Sequence, residues 1–111
     1  MSNLRFVDLT HANSNRLNVF PGHADDPWNA NDWMCAVTGE VGELASKLKR
    51  IRRRVVVRNK SLPSQADLAE EIADIIIYLD LLASFLGIDT STAVRDKFNS
   101  VSKEIGVDIY L

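Results

Sequence analysis

The segment from residue 68 to 86 constrains the fold more than any other part of this 111-residue chain. Its apolar residues form no single stripe: at about 100° per residue they cover most of a helix's circumference. Such a helix belongs at the centre of a core or between subunits, and a chain this short has limited means of surrounding it. The same segment holds Ile72-Ala73-Asp74-Ile75-Ile76-Ile77-Tyr78-Leu79, the most apolar run of the sequence, with an aspartate inside it. An ionised carboxylate there has to be paired, to shift its pKa or to bind a cation.

The punctuation elsewhere is sparse, with three prolines and five glycines, and it separates four helices. The first covers residues 4–20, where Leu4, Val7, Leu9, Ala12, Leu17 and Phe20 follow an imperfect helical spacing. Pro21-Gly22 ends it. A long helix then covers 29–54, with Asp32 as a cap near its start and basic residues crowding its end, where the helix dipole favours them. Val55-Val56-Val57 is β-prone but has no partner, which makes it an extended connection. Ser64 caps the third helix with Asp67 in its first turn, and Gly87 is its terminating glycine. Asp89 or Thr90 caps a fourth helix, which Gly106 ends. The expectation is one all-α domain over residues 1–111, a four-helix-type bundle whose nearly all-apolar third helix calls for a homodimer or homotetramer.

With 46% hydrophobic residues the chain has material for a modest core, and its formal net charge of −2 argues against a general nucleic-acid binder. No apolar run reaches the roughly 18 residues of a membrane span, because Asp74 and Asp80 interrupt the longest one. Arg5, Asp8 and His11 break any signal-peptide core. The single cysteine, Cys35, forbids an internal disulfide, and its neighbours Met34, Ala36 and Val37 suggest a buried thiol. These features describe a cytoplasmic protein with no membrane partner.

Four acids carry the chemistry. Glu40 and Glu43 are spaced i, i+3 on the second helix, and Glu71 and Asp74 repeat that spacing on the third. Packed antiparallel, the two helices can bring the pairs face to face. Four carboxylates in one cleft repel one another, and a hard divalent cation resolves the repulsion. Without thiolate or clustered histidine ligands zinc does not suit the site, whereas Mg²⁺, or Mn²⁺ in its place, does. Gly39 and Gly42 each precede a glutamate inside the helix at a cost of roughly 1 kcal/mol, which points to close approach by a backbone or a ligand. Glu70 lies about 100° from Glu71 and is the surface member of that pair. A plainer reading also exists, since acidic pairs are commonly solvated and Glu43 with Lys47 has the i, i+4 spacing of an exposed salt bridge.

Gly39-Glu40-Val41-Gly42-Glu43-Leu44 followed by Glu70-Glu71-Ile72-Ala73-Asp74 resembles the MazG-like all-α nucleoside triphosphate pyrophosphohydrolases, whose signature is ExxE on one helix and ExxD on the next. The resemblance extends over most of the chain, from Trp28 to Lys103. It implies that Glu40, Glu43, Glu71 and Asp74 are the catalytic metal ligands. It implies Mg²⁺ gripping a triphosphate, water attack at the α-phosphorus, and release of a nucleoside monophosphate and pyrophosphate.

Other residues follow more loosely. Residues 47–54 hold six of the thirteen basic residues; at least half suit a solvated helix end, while Lys47 lies on the acid-bearing face and Lys49 or Arg50 on neighbouring sides, so that one or two, Lys47 and Arg50 foremost, could meet phosphate. Trp33 and Tyr78 share the acid-bearing faces and could stack on a base. Lys97 and Lys103, with Asn99 and Ser102, resemble a polar patch that contacts phosphates in the family. The rival to a pyrophosphohydrolase is a non-enzymatic helical dimerisation or regulatory module whose acids are structural.

Overall fold

The computed structural model describes residues 2–54 and 61–111, and every regular element among them is an α-helix: α1 (Phe6–Val19), α2 (Ala30–Arg53), α3 (Gln65–Phe85) and α4 (Thr90–Ile105). The all-α expectation is met. Val55-Val56-Val57, expected as an extended connection, lies outside the described residues. No described helix is long and apolar enough to cross a membrane.

Side-chain caps fix three helix starts, the first two reciprocally. At α2 Asn29 is the cap: its Oδ1 accepts from the Asp32 N–H at 3.1 Å, and Asp32 Oδ2 accepts from the Asn29 N–H at 2.9 Å. Asp32 therefore sits three residues into the helix and is not the cap itself. Ser64 and Asp67 make the same exchange ahead of α3, at 3.2 and 2.8 Å. Asp89 caps α4 by accepting from the Thr92 N–H. The first helix starts two residues later than the spacing suggests, because Asp8 accepts from the Arg5 N–H at 3.0 Å and stops the helix there.

The chain divides into two compact units, and the division falls within α3. In the unit Trp28–Leu79, α2 and α3 run antiparallel: Trp33 lies against Tyr78 with ring centroids 6.2 Å apart, and further along the pair Lys47 meets Glu71. Trp33 and Val37, one turn apart, are its buried apolar residues, and Trp28 packs edge-on against Trp33 at 4.7 Å. Two stripes stay open, Met34, Val41 and Leu48 on α2 and Ile72, Ile76 and Leu79 on α3, each residue 43–48% exposed. Among the described residues, one apolar side of the third helix is thus left uncovered. Cys35 is exposed, contrary to the buried thiol expected. It stands about 200° round the helix from both Trp33 and Val37.

In the other unit, formed by the residues up to Pro27 with Asp80–Leu111, α1 packs on α4 around a polar centre. Asp80 is completely buried. Its carboxylate accepts from the Thr10 hydroxyl at 2.7 Å, the Asn13 amide at 2.8 Å and the Thr90 hydroxyl at 2.7 Å, which joins three helices. This corrects the expectation drawn from the isoleucine run. Asp74, the aspartate inside it, is exposed, and the enclosed acid of α3's second half is Asp80. The two are six residues apart and so do not share a face.

Candidate metal centre

Trp33, Val37, Glu40 and Lys47 recur at three- to seven-residue spacing, so α2 turns one side toward α3. The first two are buried and the last two half-buried. On α3 the answering residue is Glu71, only 6% exposed, while its neighbour Glu70 is exposed as the 100° rotation requires. One carboxylate oxygen from each of Glu40, Glu43 and Glu71 lies within 4.8 Å of the others. Asp74 is outside this trio, although its charge still acts on Glu40.

Among the described residues, donors are too few for these acids. Lys47 Nζ reaches Glu71 Oε1 at 2.6 Å, across the helix pair and not along α2 to Glu43. Taken as carboxylates, Glu40 and Glu71 each keep a buried Oε2 with no donor. Two unit charges about 4 Å apart repel by about 4 kcal/mol at an effective dielectric constant near 20, so three acids facing one ammonium need further positive charge. A proton is one answer. The hydrogen bond that a protonated Glu40 donates to Glu71, then burial, then the charges of Glu43 and Asp74, push the Glu40 carboxyl up from 4.5 to about 7. Glu71 moves the other way, held below its ordinary value first by Lys47 and then by Glu40. A divalent cation is the other answer. The donor set is all oxygen and includes two buried atoms without partners, which suits a hard ion.

Trp33 is enclosed between Trp28 and Tyr78 and so has a packing role, whereas Trp28 is 41% exposed and Tyr78 half-buried. Arg50 Nη2 donates to the Ser61 carbonyl at 3.3 Å, and its Nε is buried without an acceptor. Lys97 and Lys103 are exposed on α4, in the other unit from the carboxylate trio. Of their companions, Asn99 is engaged by the backbone of Leu111 and Ser102 is buried. A Cβ added at Gly39 or Gly42 would meet nothing within 4 Å, so the close approach expected of these glycines is not made by any of the described residues. The pairing of Lys47 with Glu71 was obscured by the i, i+4 spacing of Glu43 and Lys47; the cross-helix register is the signal that distinguishes them.

These features define an all-α protein with a two-helix carboxylate cleft. The chain belongs to the MazG-like family, whose sequence model matches residues 42–109. That stretch contains Glu43, Glu71 and Asp74; Glu40 lies just ahead of it and is joined to the site by geometry. Neither the curated proteins nor the solved structures return a match.

Proposed function

We propose that this protein is a Mg²⁺-dependent hydrolase that cleaves (deoxy)nucleoside triphosphates to the monophosphate and pyrophosphate, serving nucleotide-pool control or removal of unwanted nucleotides. The observation that carries the reading is the under-compensated trio Glu40, Glu43 and Glu71, with two buried carboxylate oxygens lacking donors, in a chain of the MazG-like family. Glu40, Glu43 and Glu71 would hold the ion, with Asp74 one turn beyond as the fourth ligand of the proposed set. The chemistry supplied by a bound ion is neutralisation of phosphate charge, orientation of the leaving pyrophosphate and acidification of a water.

The chain's own residues do the rest. Glu71 is pre-positioned by Lys47. Glu40, its carboxyl raised to about 7 by Glu71, burial and the neighbouring charges, is the acid that would take up a proton in the metal-free cleft. Tyr78 and the exposed ring of Trp28 flank the aromatic end of the α2–α3 pair and offer apolar surface for a base. The open stripes Met34/Val41/Leu48 and Ile72/Ile76/Leu79 are the surfaces on which a homodimer or homotetramer would close.

A panel of nucleoside triphosphates with Mg²⁺, read by pyrophosphate release, tests the assignment. Glu71→Gln, Glu40→Gln and Asp74→Asn should each lose more than about 10²-fold in rate while keeping helical content, since even outer partners of a metal site cost 10–100-fold. Full activity in the Glu71→Gln variant would sink the reading.

A further inference from the structure

Lys47 is the part of the site that metal binding alone does not explain. A cleft for a divalent cation already holds an ammonium 2.6 Å from its most buried acid. The pair stands at the cleft margin, with the Lys47 side chain 29% exposed and that of Glu71 8%. The ammonium answers only Oε1 of Glu71, leaving Oε2 and the Oε2 of Glu40 without donors. One positive charge against three acids is a partial substitute for a dication, and both cannot share Glu71 without repelling each other. The side chain is also suited to leaving: a four-carbon stem with three rotatable donors can swing away without moving its helix. Arg50, the next basic residue on that side, is instead tied to the Ser61 carbonyl.

We infer that Lys47 is a resident counter-ion: it holds Glu71 in the metal-free protein and yields it when the divalent ion binds. The inference rests on the metal reading of the proposed function. Lys47 then has two effects. It keeps the metal-free acids from driving the helices apart, and it raises the metal concentration needed to load the site. Its release also leaves a free ammonium beside the place where a metal-bound triphosphate must sit, so loading the metal and readying the phosphate contact become one event.

The test uses Mg²⁺ alone, without nucleotide. Calorimetric titration of Lys47→Met should show Mg²⁺ binding about tenfold tighter than in the wild type, since a like charge within about 4–6 Å counts for one to three decades. Lys47→Arg, which keeps the charge, should not show this gain. On the wild-type protein, the ¹⁵N-detected ammonium signal of Lys47 should be visible without metal and should shift or vanish as Mg²⁺ saturates. That second measurement decides the matter even if the Met variant does not fold. Unchanged or weaker Mg²⁺ binding in a folded Lys47→Met variant overturns the inference, and so does a Lys47 signal indifferent to saturating Mg²⁺. A wild type that binds no Mg²⁺ removes the metal reading itself and the inference with it, an outcome distinct from a wild type that binds metal while Lys47 stays put.

Discussion

Replacing Asp80 with alanine removes the one side chain among the described residues that is completely enclosed, and the structure gives the size of the effect. Its carboxylate accepts three hydrogen bonds of 2.7–2.8 Å, from Thr10, Asn13 and Thr90. At about 1.5–3 kcal/mol for a hydrogen bond to a charged group, the gross interaction is about 5–9 kcal/mol. Against this stands the recovered cost of having buried a carboxylate, which is several kcal/mol. Thr10 also keeps an alternative, since its hydroxyl lies 3.0 Å from the Phe6 carbonyl. The Thr90 hydroxyl and the Asn13 amide lose a charged acceptor in a closed site. The net loss expected for Asp80→Ala is about 3–5 kcal/mol, mostly from two neutral donors in a closed site that each lose an acceptor at about 1–3 kcal/mol, with the cavity added. Asp80→Asn keeps one acceptor oxygen for the two threonines but sets an amide donor against Asn13, and should lose about 1–3 kcal/mol. At about 4 °C per kcal/mol for a chain of this length, the alanine variant melts about 12–20 °C lower. Urea unfolding followed by far-UV circular dichroism, with thermal melts alongside, measures both. An alanine variant within about 1 kcal/mol of wild type would refute the argument that this network holds α1, α3 and α4 together.

Two further outcomes follow from the cleft. The Glu40 carboxyl is raised from 4.5 to about 7, so its stabilising contribution to the metal-free fold is complete below pH 4.5 and is lost as the pH rises through about 7. Glu71 is lowered, so its contribution is present above its ordinary value of 4.5 and is lost only as the pH falls through its depressed one. In EDTA, the melting temperature of the wild type should therefore fall between pH 4.5 and about 7, and Glu40→Gln should flatten that fall. Parallel pH profiles for the two proteins would contradict it. Gly39→Ala and Gly42→Ala put a methyl into open space within a helix and should each stabilise the chain by about 0.5–1 kcal/mol in urea unfolding. Destabilisation by either methyl would show that something beyond the chain's own atoms occupies that face.

Much of the architecture was legible because it is written in local chemistry. The Ser64/Asp67 exchange, the Asp89 cap and the positive-φ Gly87 and Gly106 all lie within a few residues of what they terminate. Spacing also separated Glu71 from Glu70, since about 100° of rotation decides which of two adjacent acids is buried. What the sequence hid was long-range pairing. Composition placed Asp74 among isoleucines and so marked it as buried, yet Ile72 and Ile76 beside it are themselves open, and an acid among uncovered isoleucines is simply solvated. Trp33, a candidate to stack on a base by its face alone, is held between Trp28 and Tyr78.

The third helix carries two buried acids, and their difference shows what separates a structural carboxylate from a reactive one. Asp80 spreads three donors over both oxygens, two on Oδ1 and one on Oδ2, so it asks for nothing more. With Glu40 ionised, Glu71 has a single donor on one oxygen, a second oxygen without any, and Glu40 and Glu43 crowding the same space. Enclosure raises the cost of an unmet charge at both positions, but only at Glu71 does the fold leave that charge unmet. The donors that settle the question for Asp80 are contributed from 70, 67 and 10 residues away in the chain. No window along α3 can therefore tell the two acids apart. The property that marks the site is not burial, apolar surroundings or spacing, but a shortage of donors at a closed position, and that shortage is what a cation would fill.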